Sequence, residues 1–218
     1  MNYMKHLIKY LALLGLAVAA VRADQVTWGD TDSYGLGTST GVPMPAGDLL
    51  EIGTFDVNIA TIQANQSNLS FLQSNFVDFA NSFVGAGVGG LSATWTQNSA
   101  GSANSLGVNG DRIYLWAFNA VTAASATEQG IYTSTAASWV FPNDSAIPPT
   151  TAIDLDQVNE IVVGGFGVGT SPVTSASLFN TAVIGGAVSA IPEPSTYALL
   201  GGFAALGLAV VRRRRTTV

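Results

Sequence analysis

Arg112-Ile113-Tyr114-Leu115-Trp116-Ala117-Phe118-Asn119 is the stretch on which the fold turns. With the two-residue period of a strand, Ile113, Leu115 and Ala117 share one face, and Arg112, Tyr114, Trp116 and Phe118 share the other. A strand apolar on both faces belongs in the middle of a layered structure, with a sheet against one side and a helix or loop against the other. The competing reading is an aromatic platform for sugar rings, which requires Tyr114 and Trp116 to be exposed. Trp28, Trp95 and Trp139 read as core residues.

Working outward, similar short runs recur at Gln25–Trp28, Leu49–Phe55, Leu91–Thr96, Gly130–Thr133, Ser138–Phe141, Glu160–Gly165 and Ser177–Ile184, between clusters of Gly, Ser, Asn and Pro. This pattern predicts a mainly β fold, a single β-sandwich or barrel-like domain. Leu69, Leu72, Phe76, Phe79 and Phe83 break it, because spacings of three and four residues line one stripe of a helix. One amphipathic helix is therefore expected over about 67–84, capped by Ser67 or Asn68 and ended by Gly85 and Gly87. Ser99–Gly110 and Asn143–Thr151 read as loops, and no internal repeat of fixed period stands out.

The two ends differ from this body. Lys5, His6 and Lys9 precede the apolar run Tyr10–Val18, and Val21-Arg22-Ala23 offers residues that a signal peptidase reads, so cleavage is expected between Ala23 and Asp24. Toward the other end, Pro192-Glu193-Pro194 is an extended peptide that cannot become helical. It precedes the uncharged stretch Ser195–Val211 and the cluster Arg212, Arg213, Arg214 and Arg215, which resists translocation. Tyr197–Val211 spans about 22 Å as a helix at roughly 1.5 Å per residue, short against a hydrocarbon core of about 30 Å. The simple alternative is a single-span anchor, which has no need of Pro-Glu-Pro.

This three-part tail resembles the PEP-CTERM sorting signal of exported bacterial proteins, which an exosortase processes. With the leader and the strand pattern, the resemblance divides the chain into a signal peptide over 1–23, an exported mainly-β domain over 24–190 and a sorting signal over 191–218. Within the signal, the motif is 192–194, the transmembrane helix 195–211 and the basic tail 212–215. It implies signal peptidase and exosortase as processing partners, transient residence in the inner membrane, and a surface or extracellular polysaccharide matrix as destination, in a polysaccharide-producing Gram-negative bacterium.

Composition narrows what the exported body can do. Of the 8 Lys and Arg, only Arg112 lies between the two ends, against 13 of the 14 acidic residues, so the body carries a charge near −12. It has no histidine, cysteine or lysine. A Ser-His-Asp triad, a thiolate or histidine metal site and a Schiff-base lysine are thereby excluded. So is nucleic acid as a partner, since there is no basic patch. Gly164–Gly169 is not a phosphate loop, because no helix pattern opens behind it.

No cofactor is expected. Asp30 with Asp32, and Asp154 with Asp156, are the alternate carboxylates that could ligate calcium, although the same residues favour turns. Asp30, Glu51, Asp111 and Glu160 adjoin expected strands without a motif linking any two, and Arg112 reads as a local partner of Asp111. A non-catalytic exported protein is the leading reading. The alternatives are a carbohydrate-binding β-sandwich and a carboxylate-based glycoside hydrolase, which needs two facing acids roughly 5–10 Å apart. N-terminal sequencing of the exported protein should return Asp24; a retained Met1 would make the leader an anchor.

Overall fold

The computed structural model describes residues 24–30, 34–101, 103–142 and 150–185. Through them the chain runs β1 (Asp24–Asp30), β2 (Gly35–Gly37), β3 (Leu49–Phe55), α1 (Ile59–Ala64), α2 (Leu69–Ser74), β4 (Phe76–Phe83) and β5 (Trp95–Gly101). It continues with α3 (Ala103–Leu106), β6 (Tyr114–Phe118), β7 (Glu128–Thr133), β8 (Thr150–Asp154), β9 (Glu160–Val163), β10 (Gly165–Thr170), β11 (Ser177–Asn180) and β12 (Ala182–Val183). Six strands form one sheet, in the order β12-β7-β6-β3-β4 with β9 also on β7. Two three-stranded sheets, β5-β1-β8 and β10-β11-β2, complete a mainly β, sandwich-like domain with no closed barrel among the described residues.

β6 occupies the middle of the large sheet, between β3 and β7, and all five of its residues are buried. Its alternation falls as the sequence requires. Leu115 and Ala117, with Leu50, Ile52 and Tyr132, pack in one core with Val26, Trp28, Trp95 and Ile153 of the β5-β1-β8 sheet. Tyr114, Trp116 and Phe118 face the opposite way, into a second core closed by Ile62 of α1 and Leu72 of α2. Rings dominate that second core. Trp116 lies 5.4 Å from Phe55, 5.1 Å from Phe76 and 4.9 Å from Phe118 between centroids, the separations at which aromatic pairs attract. Its Nε1–H donates to Gln129 Oε1 at 2.9 Å, and Gln129 Nε2 donates to the Gln66 carbonyl between α1 and α2 at 2.6 Å. The platform reading of Tyr114 and Trp116 is thereby corrected: neither ring is exposed.

The single helix expected over 67–84 is also corrected. Its first part is α2, which stops at Ser74, where Asn75 leaves helical geometry and its side-chain amide donates to the Phe71 carbonyl at 2.8 Å. Phe76–Phe83 is instead strand β4, antiparallel to β3. A bulge between the Ile52 and Gly53 pairings, opposite Phe79, shifts the phase of β4. Phe76 therefore packs in the helix-side core, Phe79 in the other, and Phe83 is exposed. Residues from two strand faces, displaced by a bulge, imitated a helical stripe.

A short repeat lies just upstream. Asn58-Ile59-Ala60-Thr61-Ile62-Gln63-Ala64-Asn65 and Asn68-Leu69-Ser70-Phe71-Leu72-Gln73-Ser74-Asn75 are two copies of one pattern, offset by ten residues. Each copy builds a helix in the same way. Asn58 and Asn68 accept from the N–H groups of Thr61 and Phe71, while Asn65 and Asn75 donate to the carbonyls of the same two residues. Side-chain capping at both ends satisfies groups that a six-residue helix would otherwise leave open.

Other expectations moved at their edges. Ser138–Phe141 is not a strand: Ser138 and Trp139 belong to the 3-10 turn Ala137–Trp139, and Val140 forms an isolated bridge with Arg112. The run Leu91–Thr96 enters β5 only at Trp95, after Ala93 takes a positive φ. The expected loops contain α3 and the start of β8.

The chain closes along one edge of β7. β9 pairs with Ile131–Thr133 and β12 pairs with Glu128–Gln129, so both share that edge. Between them β10 and β11 swing out to join β2, starting at Gly164 (φ +114°), where any Cβ would meet the Asn180 carbonyl. Two side chains hold the excursion. Asn180 accepts from Val168 N–H at 3.1 Å and donates to the Val168 and Thr38 carbonyls at 2.9 and 3.0 Å, filling the bulge in β10. Glu128 accepts from Ser39 N–H, the Ser39 hydroxyl and the Thr181 hydroxyl.

Replacing Trp116 by alanine should cost roughly 3–5 kcal/mol, the range for a large aromatic truncated in a packed core. Denaturant unfolding of the Trp116→Ala protein checks this; an unchanged midpoint would mean that the ring does not hold the two layers together.

Candidate functional site

The residues with the most specific sequence assignment lie outside the described residues: Ala23, Pro192, Glu193, Pro194, the span Ser195–Val211 and Arg212–Arg215. Asp24 opens β1 opposite Gly101. No helix among the described residues is long and apolar enough to cross a membrane. β12 ends at Val183, and Ile184 N–H donates to the Thr127 carbonyl at 2.8 Å. Eight residues then lead from Ile184 to Pro192, a reach of at most about 28 Å at roughly 3.5 Å per residue.

Of the calcium candidates, Asp154 stands opposite Gly29, next to Asp30, in the pairing of β1 with β8. Asp30 is buried at the end of β1 opposite Trp95, and Asp32 lies outside the described residues. Asp154 caps the 3-10 turn Leu155–Gln157 by accepting from Asp156 N–H at 3.3 Å. Their turn-forming role is thus visible for this pair. Among the described residues, no group of three or more His, Cys, Asp or Glu is placed to hold a metal ion.

Arg112 pairs with Glu160, 48 residues away, at 2.7 Å rather than with its neighbour Asp111. Side chains about one-third exposed (37 and 36 %) make this pair worth little, at most about 1 kcal/mol. It does occupy the body's one cation.

Two carboxylates that sequence alone did not connect lie near each other on β3 and β4, Asp78 standing opposite Gly53, two residues from Glu51. Burial pushes Glu51 up to about 7, and the nearby Asp78 charge adds to the shift. Burial raises Asp78 too, against a lowering hydrogen bond from the Ala80 backbone. Asp48, buried with Oδ2 lacking a hydrogen-bond partner, is pushed up to about 6. Reading β4 as helix concealed the proximity of Glu51 and Asp78, which the pairing of β4 with β3 brings about. Glu128 moves the other way: burial alone would raise it, but the hydrogen bonds from Thr181 and Ser39 outweigh that and hold it below the ordinary range.

Two clefts flank the Leu155–Gln157 turn. One, of about 250 Å³, lies on the β5-β1-β8 sheet and is lined by Thr27, Gly29, Thr96, Asp154 and Gln157 among others. Gln157 Oε1 is already engaged there, accepting from the Ser138 hydroxyl at 2.9 Å and Trp139 Nε1–H at 3.1 Å. The other cleft, of about 230 Å³, is lined by Tyr34, Phe166, Phe179, Asp156, Asn159 and Ile161. Its aromatic wall is a cluster, with Tyr34 5.4 Å from Phe166 and 5.6 Å from Phe179, and Phe166 4.8 Å from Phe179. Among the described residues each cleft presents a single carboxylate, Asp154 or Asp156. The sequence signal for the second cleft was the glycine alternation of Gly165-Phe166-Gly167-Val168-Gly169, which strips side chains from around Phe166 and leaves that ring 47 % exposed.

Raised carboxylate pKa values set a pH dependence. Glu51 binds a proton more readily folded (about 7) than at its ordinary 4.5, as Asp48 does at about 6 against 3.8. Stability therefore falls as pH rises through this window. Glu128, with its lowered value, loses its contribution only below the ordinary carboxylate range. Thermal melts should show a higher midpoint at pH 5 than at pH 8. Glu51→Gln should raise the pH 8 midpoint and flatten the profile; an unaltered profile would place the effect elsewhere.

No curated protein and no solved structure matches this chain. One family model does, that of the PEP-CTERM protein-sorting motif, over residues 190–215. The stretch holding Pro192-Glu193-Pro194, the apolar run and the four arginines is therefore a PEP-CTERM protein-sorting motif.

Proposed function

We propose that this chain is a non-catalytic exported protein that resides briefly in the inner membrane and ends on the surface, or in the extracellular polysaccharide matrix, of a Gram-negative bacterium. The observation that carries the reading is the PEP-CTERM motif at 190–215, which implies export and processing by an exosortase. The position of β12 supports it, because every strand among the described residues ends before the motif begins, and cleavage near Pro192 removes none of them. Loss of the tail also strips four arginines and leaves a body of charge near −12, a soluble product that neighbouring copies repel.

The absence of catalysis is supported by the side chains available. The body lacks histidine, cysteine and lysine, and its one arginine is engaged by Glu160. A glycoside hydrolase needs two acids facing each other in a groove. Each of the two clefts beside the Leu155–Gln157 turn supplies one.

An epitope tag placed after Val218 tests the sorting reading. In a host with exosortase the tag should separate from the exported body, and on deletion of that enzyme the two should stay joined in the membrane fraction. Body and tag remaining one chain in both strains would make the tail an ordinary anchor.

A further inference from the structure

We propose that the cleft between Tyr34, Phe166 and the Leu155–Asn159 segment is a binding site for one uncharged pyranose residue of a glycan. The inference rests on the groups that converge there. Phe179 is buried and forms the floor, while Tyr34 and Phe166 stand edge-on to it or to each other and Phe166 keeps nearly half its surface open. Asp156 and Asn159 stand on the polar side. Asn159 is fixed in orientation, since its Oδ1 accepts from Thr135 N–H at 3.1 Å and its Nδ2 donates to the Thr135 hydroxyl at 2.9 Å. One amide N–H remains to donate, and the Asp156 carboxylate accepts only.

Elimination then selects the ligand chemistry. No cation among the described residues lines the cleft, and the surrounding body is strongly acidic, so phosphate, carboxylate and sulfate ligands are repelled. A wholly apolar ligand would desolvate Asp156 and Asn159 without pairing them. A volume of about 230 Å³ lies below the roughly 300–1,000 Å³ of sites for drug-sized ligands, so the cleft takes one ring. A pyranose has an apolar C–H face for the ring of Phe166 or Tyr34, and equatorial hydroxyls that donate to a carboxylate and accept from an amide.

This site deepens the export reading, which supplies the setting in which glycans are met, but its test needs no processing. The full chain, purified in a sugar-free zwitterionic detergent, is run in native gels containing dextran, galactomannan or a β-1,3-glucan. At least one of these neutral polymers should retard it. Phe166→Ala and Asp156→Ala should each weaken that retardation about tenfold in dissociation constant, a loss of about 1.4 kcal/mol. Phe83→Ala, at an exposed ring on β4, should leave it unchanged. Should Phe166→Ala fail to melt cooperatively, Asp156→Ala alone decides. Migration unaffected by all three polymers, or full retardation of the variants, overturns the site. Stronger retardation by alginate than by any neutral polymer overturns the uncharged ligand. Either failure leaves the tag-separation result standing, so the two readings fall separately.

Discussion

The indole of Trp116 is the constraint on which the rest of the body depends. It has no exposed surface, its ring touches three other aromatic residues, and its one polar atom is paired. The Gln129 that pairs it passes a second hydrogen bond to the linker between the two short helices, so strand, neighbouring strand and helical cover are fixed by one side-chain chain. An exported domain with no cysteine has no disulfide to fall back on. With one ion pair of small worth among the described residues, its stability rests on packing at both faces of β6.

Where backbone pairing runs out, polar side chains take its place. Asn180 presents an amide to both backbone groups of Val168, much as a peptide on a neighbouring strand would. Glu128 gathers three donors where the turn after β2 meets the approach to β12. Each offers a buried or half-buried polar group its full complement, the condition under which such groups stabilise a structure. These two side chains also place the cleft beside Tyr34, since they tether the β10-β11-β2 sheet that carries Phe166 and Phe179.

What was legible in the sequence divides along physical lines. β6 was legible because its alternation is uninterrupted, and β3 was legible to the residue because Leu49–Phe55 is bounded by turn-forming neighbours. Phe76–Phe83 was misread because a bulge resets the strand period, which no local pattern announces. The ten-residue repeat escaped because hydrophobic identities vary between copies while the asparagine caps recur. Glu51 and Asp78, like Tyr34 and Phe166, lie far apart in the chain, so only the pairing of their strands could bring them near each other. The sorting motif was the most readable part, since its three elements are contiguous and each acts by a local property: stiffness, hydropathy and charge.

β12 is short, two residues paired with Glu128 and Gln129, and it is the last strand among the described residues. If the tail were held in a membrane, as proposed above, a pull on it would reach the described sheet through this strand. A strand attached by so few rungs, each worth about 1 kcal/mol, peels at low force. β9 already holds the other half of the same β7 edge, so the sheet would survive the peeling. Under such a pull the short strand would yield before the aromatic core, whose packing lies elsewhere in the sheet.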